Sequence, residues 1–218
     1  MKKITLTFCS AVFLMAACNN NGETKNASAD SALQTTIKDG KKDTAVAMPD
    51  MEAITKAWTE FMTPGPMHKW MQKTNGTWEA EINQWMDPSA PPTKSKATIA
   101  QSSILGGRFV ESKFSGSSMG QAMNGISTMG YDNAKKLFVA TWIDNMSTGI
   151  AYMTGTYDST TRTLNLKGLQ TDPVTGKDSN IREEMTIIDS DSYSMVLFGD
   201  GMDGKEMKMM EGIYRRKK

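Results

Sequence analysis

The chain is poor in residues that form covalent or metal cross-links, with two cysteines and one histidine among 218 residues. Cys9 and Cys18 both lie near the N-terminus, which excludes a disulfide framework in the rest of the chain. A single imidazole, His68, without thiol partners argues against a tetrahedral zinc site. We therefore expect no metal and no cofactor, and a domain that is held together by packing alone.

Long apolar runs are also missing. The longest, residues 4–15, follows Lys2 and Lys3 and is too short for a membrane-spanning helix, which needs ~20 apolar residues. It ends in Leu14-Met15-Ala16-Ala17-Cys18, which resembles the lipobox of bacterial lipoproteins. We expect residues 1–17 to be a signal peptide and Cys18 to carry a lipid. That lipid would anchor the protein in the cell envelope, at the outer membrane of a Gram-negative bacterium.

No excess of one charge is present. Removal of residues 1–17 removes two lysines and leaves 23 basic residues against 24 acidic ones. The basic residues are dispersed, and we interpret the tail at residues 215–218 as a solvated terminus. These features argue against a nucleic-acid partner, because nucleic-acid binding requires a concentrated basic surface.

Residues 18–48 contain very little apolar sequence after the lipidated cysteine. Asn, Thr, Ser, Lys, Asp, Gly and Ala dominate this segment, so it cannot bury enough surface to offset the entropy of ordering. We expect a disordered tether here, followed by one folded domain over residues 49–218.

The folded domain begins with a helical pattern and continues with a two-residue period. Asp50 can cap a helix whose apolar residues recur at three- and four-residue spacing, and Thr63-Pro64-Gly65-Pro66 ends it before a second short helical turn at residues 67–73. About ten strands follow, each separated from the next by turn residues. The predicted strands lie around Trp78 and at residues 94–105, 108–115, 122–131, 137–145, 149–157, 163–171, 179–189, 193–198 and 206–214.

Connectors this short require antiparallel neighbours, and closing such a meander removes its exposed edges. The sequence therefore predicts a mainly β domain, an antiparallel up-and-down β-barrel of about ten strands with a short N-terminal helical segment packed on it or plugging it. Gly106-Gly107 and the corner that begins at Gly130 are expected to turn the chain at positive φ.

Several motifs resemble, in order, those of the bacterial domain of unknown function 1579 family. The resemblance implies a lipocalin-like barrel and no established activity. The motifs are Gly65-Pro66 with His68, Gly76-Thr77-Trp78, Leu105-Gly106-Gly107-Arg108-Phe109, Gly130-Tyr131-Asp132, Trp142-Ile143-Asp144, Gly155-Thr156-Tyr157-Asp158, and Asp172-Pro173 to Gly176.

Arg108 and Asp144 are the charged candidates for the barrel interior. In an extended strand Arg108 shares a face with Val110 and Phe114, and Asp144 shares one with Trp142. An inward guanidinium needs an acceptor, so we expect a buried pair of Arg108 with Asp144. The alternatives are a ligand carboxylate or phosphate held by Arg108, and plain exposure to solvent.

Other candidates are weaker. Trp78, Tyr131 and Trp142 are candidate lining aromatics for a ligand, while His68 is expected to pack or hydrogen-bond rather than act as a general base or haem ligand. No residue is assigned a catalytic role, because no nucleophile elbow and no phosphate-binding loop occurs.

Methionine is abundant, with 17 of the 19 residues remaining after the signal peptide. Met119, Met123, Met129, Met146, Met153, Met185, Met195 and the group at residues 207–210 are expected to fill an irregular core, or else to line an adaptable cavity. A thioether copper site is a third interpretation, which lacks the clustered histidines or cysteines that would support it.

Three functions remain open. The favoured one is an envelope protein whose barrel binds a small apolar or amphipathic ligand, with Arg108 as anchor for an acidic head group. The second is an interaction or scaffold protein with a filled barrel, which an exposed apolar patch would favour. The third is an enzyme, which would require a carboxylate of strongly raised pKa in a pocket near His68 or Glu183. The oligomeric state is not predictable.

Overall fold

The computed structural model describes residues 50–201 and 203–218. The predicted signal peptide, Cys18 and the tether all lie outside the described residues. In the part of the chain that is described, no helix has both the length and the apolarity needed to cross a bilayer.

Two helices precede the strands. Helix α1 spans Met51–Met62 and begins where the Asp50 carboxylate accepts a hydrogen bond of 2.7 Å from the Ala53 amide, as predicted. Helix α2 spans Pro66–Gln72, with proline in its first turn. The two helices differ in burial. Helix α1 buries no residue, and Trp58 on its apolar side is 59% exposed. In α2, His68 is 4% exposed and Met71 is fully buried.

The ten predicted strands are confirmed, and most bounds differ by no more than three residues. They are β1 Gly76–Gln84, β2 Thr93–Ile104, β3 Phe109–Ser118, β4 Gln121–Asp132, β5 Leu137–Asp144, β6 Ala151–Asp158, β7 Thr163–Thr171, β8 Asp178–Ile187, β9 Ser192–Asp200 and β10 Glu206–Arg216. A short 3₁₀ turn, Leu105–Gly107, joins β2 to β3.

These strands form one closed antiparallel barrel. Every strand pairs with its neighbours in sequence, and β1 closes the barrel by pairing with β10, for example at Ala80 opposite Tyr214. The predicted lipocalin-like up-and-down barrel is therefore confirmed. Because side chains alternate along a strand, every second residue points into the barrel.

Helix α2 covers one end of the barrel. The Trp70 ring lies 4.5 Å from the ring of Tyr157 and 5.3 Å from that of Phe138, measured between centroids. Met71 belongs to the same core cluster as the inward residues of the strands. Of the two helices, α2 therefore plugs the barrel, while α1 lies outside the core.

The C-terminal tail is not a simple solvated terminus, because β10 continues to Arg216. The Arg216 guanidinium lies 4.2 Å from the centre of the Trp78 ring and donates to the Asp191 carboxylate at 3.0 Å. It also donates to the carbonyl oxygens of Lys73 and Asn75, which precede β1. Arg216 thus ties the last strand to the segment between α2 and the first strand.

Candidate functional site

The two halves of the barrel interior are packed differently. Next to α2, inward side chains such as Trp78, Phe138 and Leu164 are at most 3% exposed. Further from α2, inward side chains such as Leu197 and Met210 keep partial exposure. An inward side chain of a closed barrel can be exposed only if solvent reaches the interior. We call the part of the interior away from α2 the open half.

One wall of the open half is apolar and rich in methionine. It includes Met195 and Leu197 on β9 and Met210 on β10, and Met153 and Met185 lie deeper on β6 and β8. The predicted methionine lining is correct for these residues. It is wrong for Met119 and Met146, which lie in connecting loops and are 57% and 41% exposed.

The facing wall, formed by β1 to β4, carries inward polar side chains. The amide nitrogen of Gln101 donates to Ser112 Oγ at 2.9 Å, and that of Gln84 donates to Ser118 Oγ at 3.2 Å. Three buried atoms on this wall, Gln84 Oε1, Ser95 Oγ and Gln101 Oε1, have no hydrogen-bond partner among the described residues. Gln84 and Ser95 belong to the open half, whereas Gln101 lies opposite Gly76 at the α2 end. Unpaired buried polar atoms are costly in a folded protein, so each of them is a position where a ligand or water would bind favourably.

Glu183 is the unpaired carboxylate of the interior. It lies opposite Leu166 on β7 and Leu197 on β9, and forms no ion pair with any described residue. Burial raises its pKa from the ordinary 4.5 to about 7. Its charge also contributes to the raised pKa values of Tyr193 and Tyr214, for which burial is the main cause.

The neighbours of Glu183 along β8 point outward. Arg182 pairs with Glu184 and with Glu206, whose carboxylate lies 2.8 Å from the guanidinium. The guanidinium also lies 3.7 Å from the centre of the Phe198 ring. Because Arg182 is engaged outside the barrel, it does not neutralise Glu183.

Three of the residues proposed from the sequence, Trp78, Tyr131 and His68, lie at the end of the barrel next to α2, which we call the packed end. Trp78 Nε1 donates to the Thr74 carbonyl at 2.8 Å, and its ring lies 4.8 Å from that of Tyr193. Tyr131 packs edge-on against His68 and Phe138, at 5.9 and 5.0 Å between centroids. These contacts support a packing role for Trp78 and Tyr131.

His68 makes a local capping contact. Its Nδ1 accepts a hydrogen bond of 3.0 Å from the Gly65 amide, which requires an unprotonated nitrogen. Burial is the main cause that lowers its pKa from 6.5, and a hydrogen bond with the Tyr131 backbone opposes this change. His68 therefore satisfies an orphan donor at the start of α2, the hydrogen-bonding role expected from the sequence.

The predicted buried pair of Arg108 with Asp144 is wrong, and so is an inward Arg108 that anchors an acidic ligand. Arg108 follows the 3₁₀ turn with helical backbone angles, so it leaves the strand alternation and is exposed. Its guanidinium donates to the carbonyl oxygens of Met62 and Leu105, at 2.8 and 3.3 Å. Gly106 and Gly107 do adopt the predicted positive φ, 68° and 80°.

Trp142 and Asp144 remain in the open half. Trp142 Nε1 donates to Asp144 Oδ2 at 2.7 Å, and the second carboxylate oxygen accepts from the Met146 amide at 2.8 Å. The indole lies against Gly125, where a side chain would collide with it. Asp144 is thus satisfied locally, while Trp142 supplies aromatic wall near the opening.

The sequence interpretation missed Gln84, Ser95 and Gln101. A signal was present, because Gln84 shares the inward face of β1 with Trp78 and Ile82. A polar residue that continues an apolar stripe marks a polar patch inside a barrel. Among the described residues, no group of three or more His, Cys, Asp or Glu side chains could hold a metal ion.

Comparison with known proteins shows which structures and which family this chain resembles. Rv2717c from M. tuberculosis is 12% identical, with a TM-score of 0.56 over 72% of this chain and 100% of that chain. The S-type phycobiliprotein lyase CPES from Guillardia theta is 10% identical, with a TM-score of 0.49 over 78% and 99% of the two chains. No curated protein matches the sequence. A family model described as "Protein of unknown function (DUF1579)" matches residues 63–216, so the chain belongs to the DUF1579 family.

Proposed function

We propose that this protein is a lipid-anchored envelope protein whose barrel binds a small apolar or amphipathic molecule in its open half. One observation carries the proposal: Trp78, Phe138 and Leu164 at the α2 end are at most 3% exposed, whereas Leu197 and Met210, at inward positions further from α2, keep partial exposure. A barrel that serves only as a filled scaffold has no need of this difference. Barrels of this size can hold one small ligand.

The wall chemistry supports an amphipathic ligand in particular. Flexible methionines on β9 and β10 can adapt to an apolar body. The unpaired oxygens of Gln84 and Ser95 offer partners for a polar group. Trp142 adds an aromatic surface near the opening.

The test is native mass spectrometry of residues 19–218, exported to the periplasm behind a cleavable signal and compared before and after organic extraction. A reproducible bound mass that extraction removes is the expected result. If gently purified protein shows only the mass of the polypeptide, and no apolar compound binds when added, the proposal fails.

The lipid anchor rests on the lipobox resemblance and has its own test. Cys18→Ala should abolish both lipid labelling and processing at that position, whereas Cys9→Ala should leave both intact, because Cys9 lies inside the signal peptide. Labelling with a radioactive fatty acid and mass analysis of the N-terminus measure the outcome. Unchanged labelling in Cys18→Ala would refute the anchor.

A second candidate, an interaction protein, is favoured by the exposed apolar side of α1. Met51, Trp58 and Met62 are 74%, 59% and 54% exposed. Such a surface is typical of a contact site for another macromolecule. Loss of a specific partner on mutation of Trp58, together with an empty barrel, would favour this function over ligand binding.

A further inference from the structure

The charges that face the barrel interior are few and mostly negative. On the described strands, Glu183, Asp144 and Arg216 are the charged residues at inward positions, as the strand registers show. Arg216 lies at the α2 end and is bound to Asp191 and to backbone carbonyls. Asp144 has both oxygens hydrogen-bonded, one to the Trp142 indole and one to the Met146 amide. Glu183 is therefore the inward charge that remains free for a ligand.

The unpaired polar atoms of the facing wall have the same character. In the open half, Gln84 Oε1 is an acceptor, and Ser95 Oγ can accept as well as donate. The amide nitrogen of Gln84 is already engaged with the Ser118 hydroxyl. The open half thus presents acceptors that lack donors, next to an apolar wall.

From this arrangement we infer that the barrel selects amphipathic cations, in which an alkyl body lies against the methionine wall and an ammonium-type head donates hydrogen bonds to Glu183. This inference rests on the proposed function and names the ligand class for the same site. It replaces the acidic ligand that an inward Arg108 would have held. A fatty-acid carboxylate would meet a like charge at Glu183 and acceptors on the facing wall.

The groups packed around Glu183 support this selection. The inward residues of β7 beside it are Leu166 and Gly168, which carry no charge. On β9 and β10 the inward titratable groups are Tyr193, Tyr214 and Arg216, and both tyrosines have raised pKa values. They therefore stay neutral near pH 7, while Glu183 changes charge there. A bound cation would favour the ionised carboxylate.

Isothermal titration with three probes of one chain length tests the inference: octylamine, octanol and octanoate, each added to residues 19–218 at pH 8. We expect octylamine to bind at least tenfold more tightly than octanol, and octanoate to bind most weakly. The octylamine affinity should fall at pH 6, where Glu183 is largely protonated while the amine keeps its charge.

Two variants of neighbouring residues on β8 distinguish the loss of the interior carboxylate from a general change in the stability of the protein. Glu183→Gln should remove the preference for octylamine and its pH dependence while octanol binding persists. Glu184→Gln, on the outer face of the same strand, should change neither. Equal binding of octylamine and octanol, a preference that survives Glu183→Gln, or tightest binding of octanoate would overturn the inference and leave the proposed function standing. Failure of all three probes to bind would overturn both.

Discussion

At the scale of single residues, the burial of His68 and that of Glu183 give the stability of the fold opposite dependences on pH. Burial lowers the pKa of His68 and raises that of Glu183. A lowered folded-state pKa means that the unfolded chain binds more protons, so stability falls as the pH falls. A raised one means that the folded chain binds more protons, so stability falls as the pH rises.

For His68 the affected range begins near pH 6.5 and extends downward through its lowered folded-state pKa. Protonation there places a donor opposite the Gly65 amide and breaks the hydrogen bond that starts α2. We expect wild-type protein to lose stability over this range and His68→Gln to lose less of it. Urea denaturation at pH 7.5 and 5.5 measures both. Equal losses in the two proteins would show that His68 does not titrate on unfolding.

For Glu183 the affected range runs from about pH 4.5 to about 7. Above this range the fold must hold Glu183 as an ionised carboxylate inside the barrel. Glu183→Gln should therefore be more stable than wild type at pH 8 by about 1–3 kcal/mol. This range follows from ~1.4 kcal/mol per pKa unit and some screening by interior water. The difference should vanish near pH 4.5. Glu184→Gln is the control, and a destabilised Glu183→Gln at pH 8 would contradict the unpaired carboxylate.

At the scale of elements, the strands were predictable because their signals are local. Alternating residues and turn residues placed all ten strands, and antiparallel closure followed from the short connectors. The exposed position of Arg108 was not predictable, because strand alternation fails where the chain turns, and Gly106-Gly107 turns the chain immediately before the arginine. The turn predicted to begin at Gly130 is also wrong. Gly130 lies within β4, and Lys136, at φ 57°, makes the turn instead.

The burial of α1 could not be read from its sequence either. A one-sided apolar pattern predicts a helix but not what covers it. In the structure its last turn is held by side chains from barrel loops. Asn133 donates to the carbonyl oxygens of Glu60 and Thr63, at 2.9 and 2.8 Å, and Arg108 donates to that of Met62.

This attachment gives a prediction for α1. Asn133→Ala should loosen the helix with little effect on the barrel, because no α1 residue is buried. We expect faster amide hydrogen exchange over residues 51–62 and a change in global stability below about 1 kcal/mol. Asn145→Ala, a substitution in a loop at the opposite end of the barrel, should leave exchange in α1 unchanged. Unaltered exchange in Asn133→Ala would mean that other contacts hold the helix.

At the scale of the whole molecule, the interior divides into a packed end and an open half, and this division was only partly visible in the sequence. The methionine-rich lining was expected, yet which inward residues pack together depends on the register across the barrel. Trp78 and Trp142 are both inward aromatics, but the register places the first beneath α2 and the second near the opening. The charge of the interior follows from the same register, which brings Glu183 inward and leaves Arg182 outside.

Closure of the barrel depends on its last strand, and Arg216 is where that strand is secured. Its guanidinium is bound by Asp191 and by the carbonyls of Lys73 and Asn75, and it lies against the Trp78 ring. Arg216→Met keeps much of the side-chain volume but leaves these acceptors unpaired at the packed end. We expect a loss of about 2–4 kcal/mol in the free energy of unfolding, from charged hydrogen bonds and a cation–π contact.

The adjacent arginine provides the matched comparison. Arg215 points outward, is 63% exposed and approaches Glu81 only at 3.9 Å. Arg215→Met should therefore change stability by less than about 0.5 kcal/mol, since exposed ion pairs contribute little. Guanidinium denaturation of both variants measures the difference. Similar effects from the two substitutions would mean that net charge determines stability, rather than the contacts of Arg216 between β10 and the segment before β1. A loss confined to Arg216→Met would show that the C-terminal residues complete the barrel.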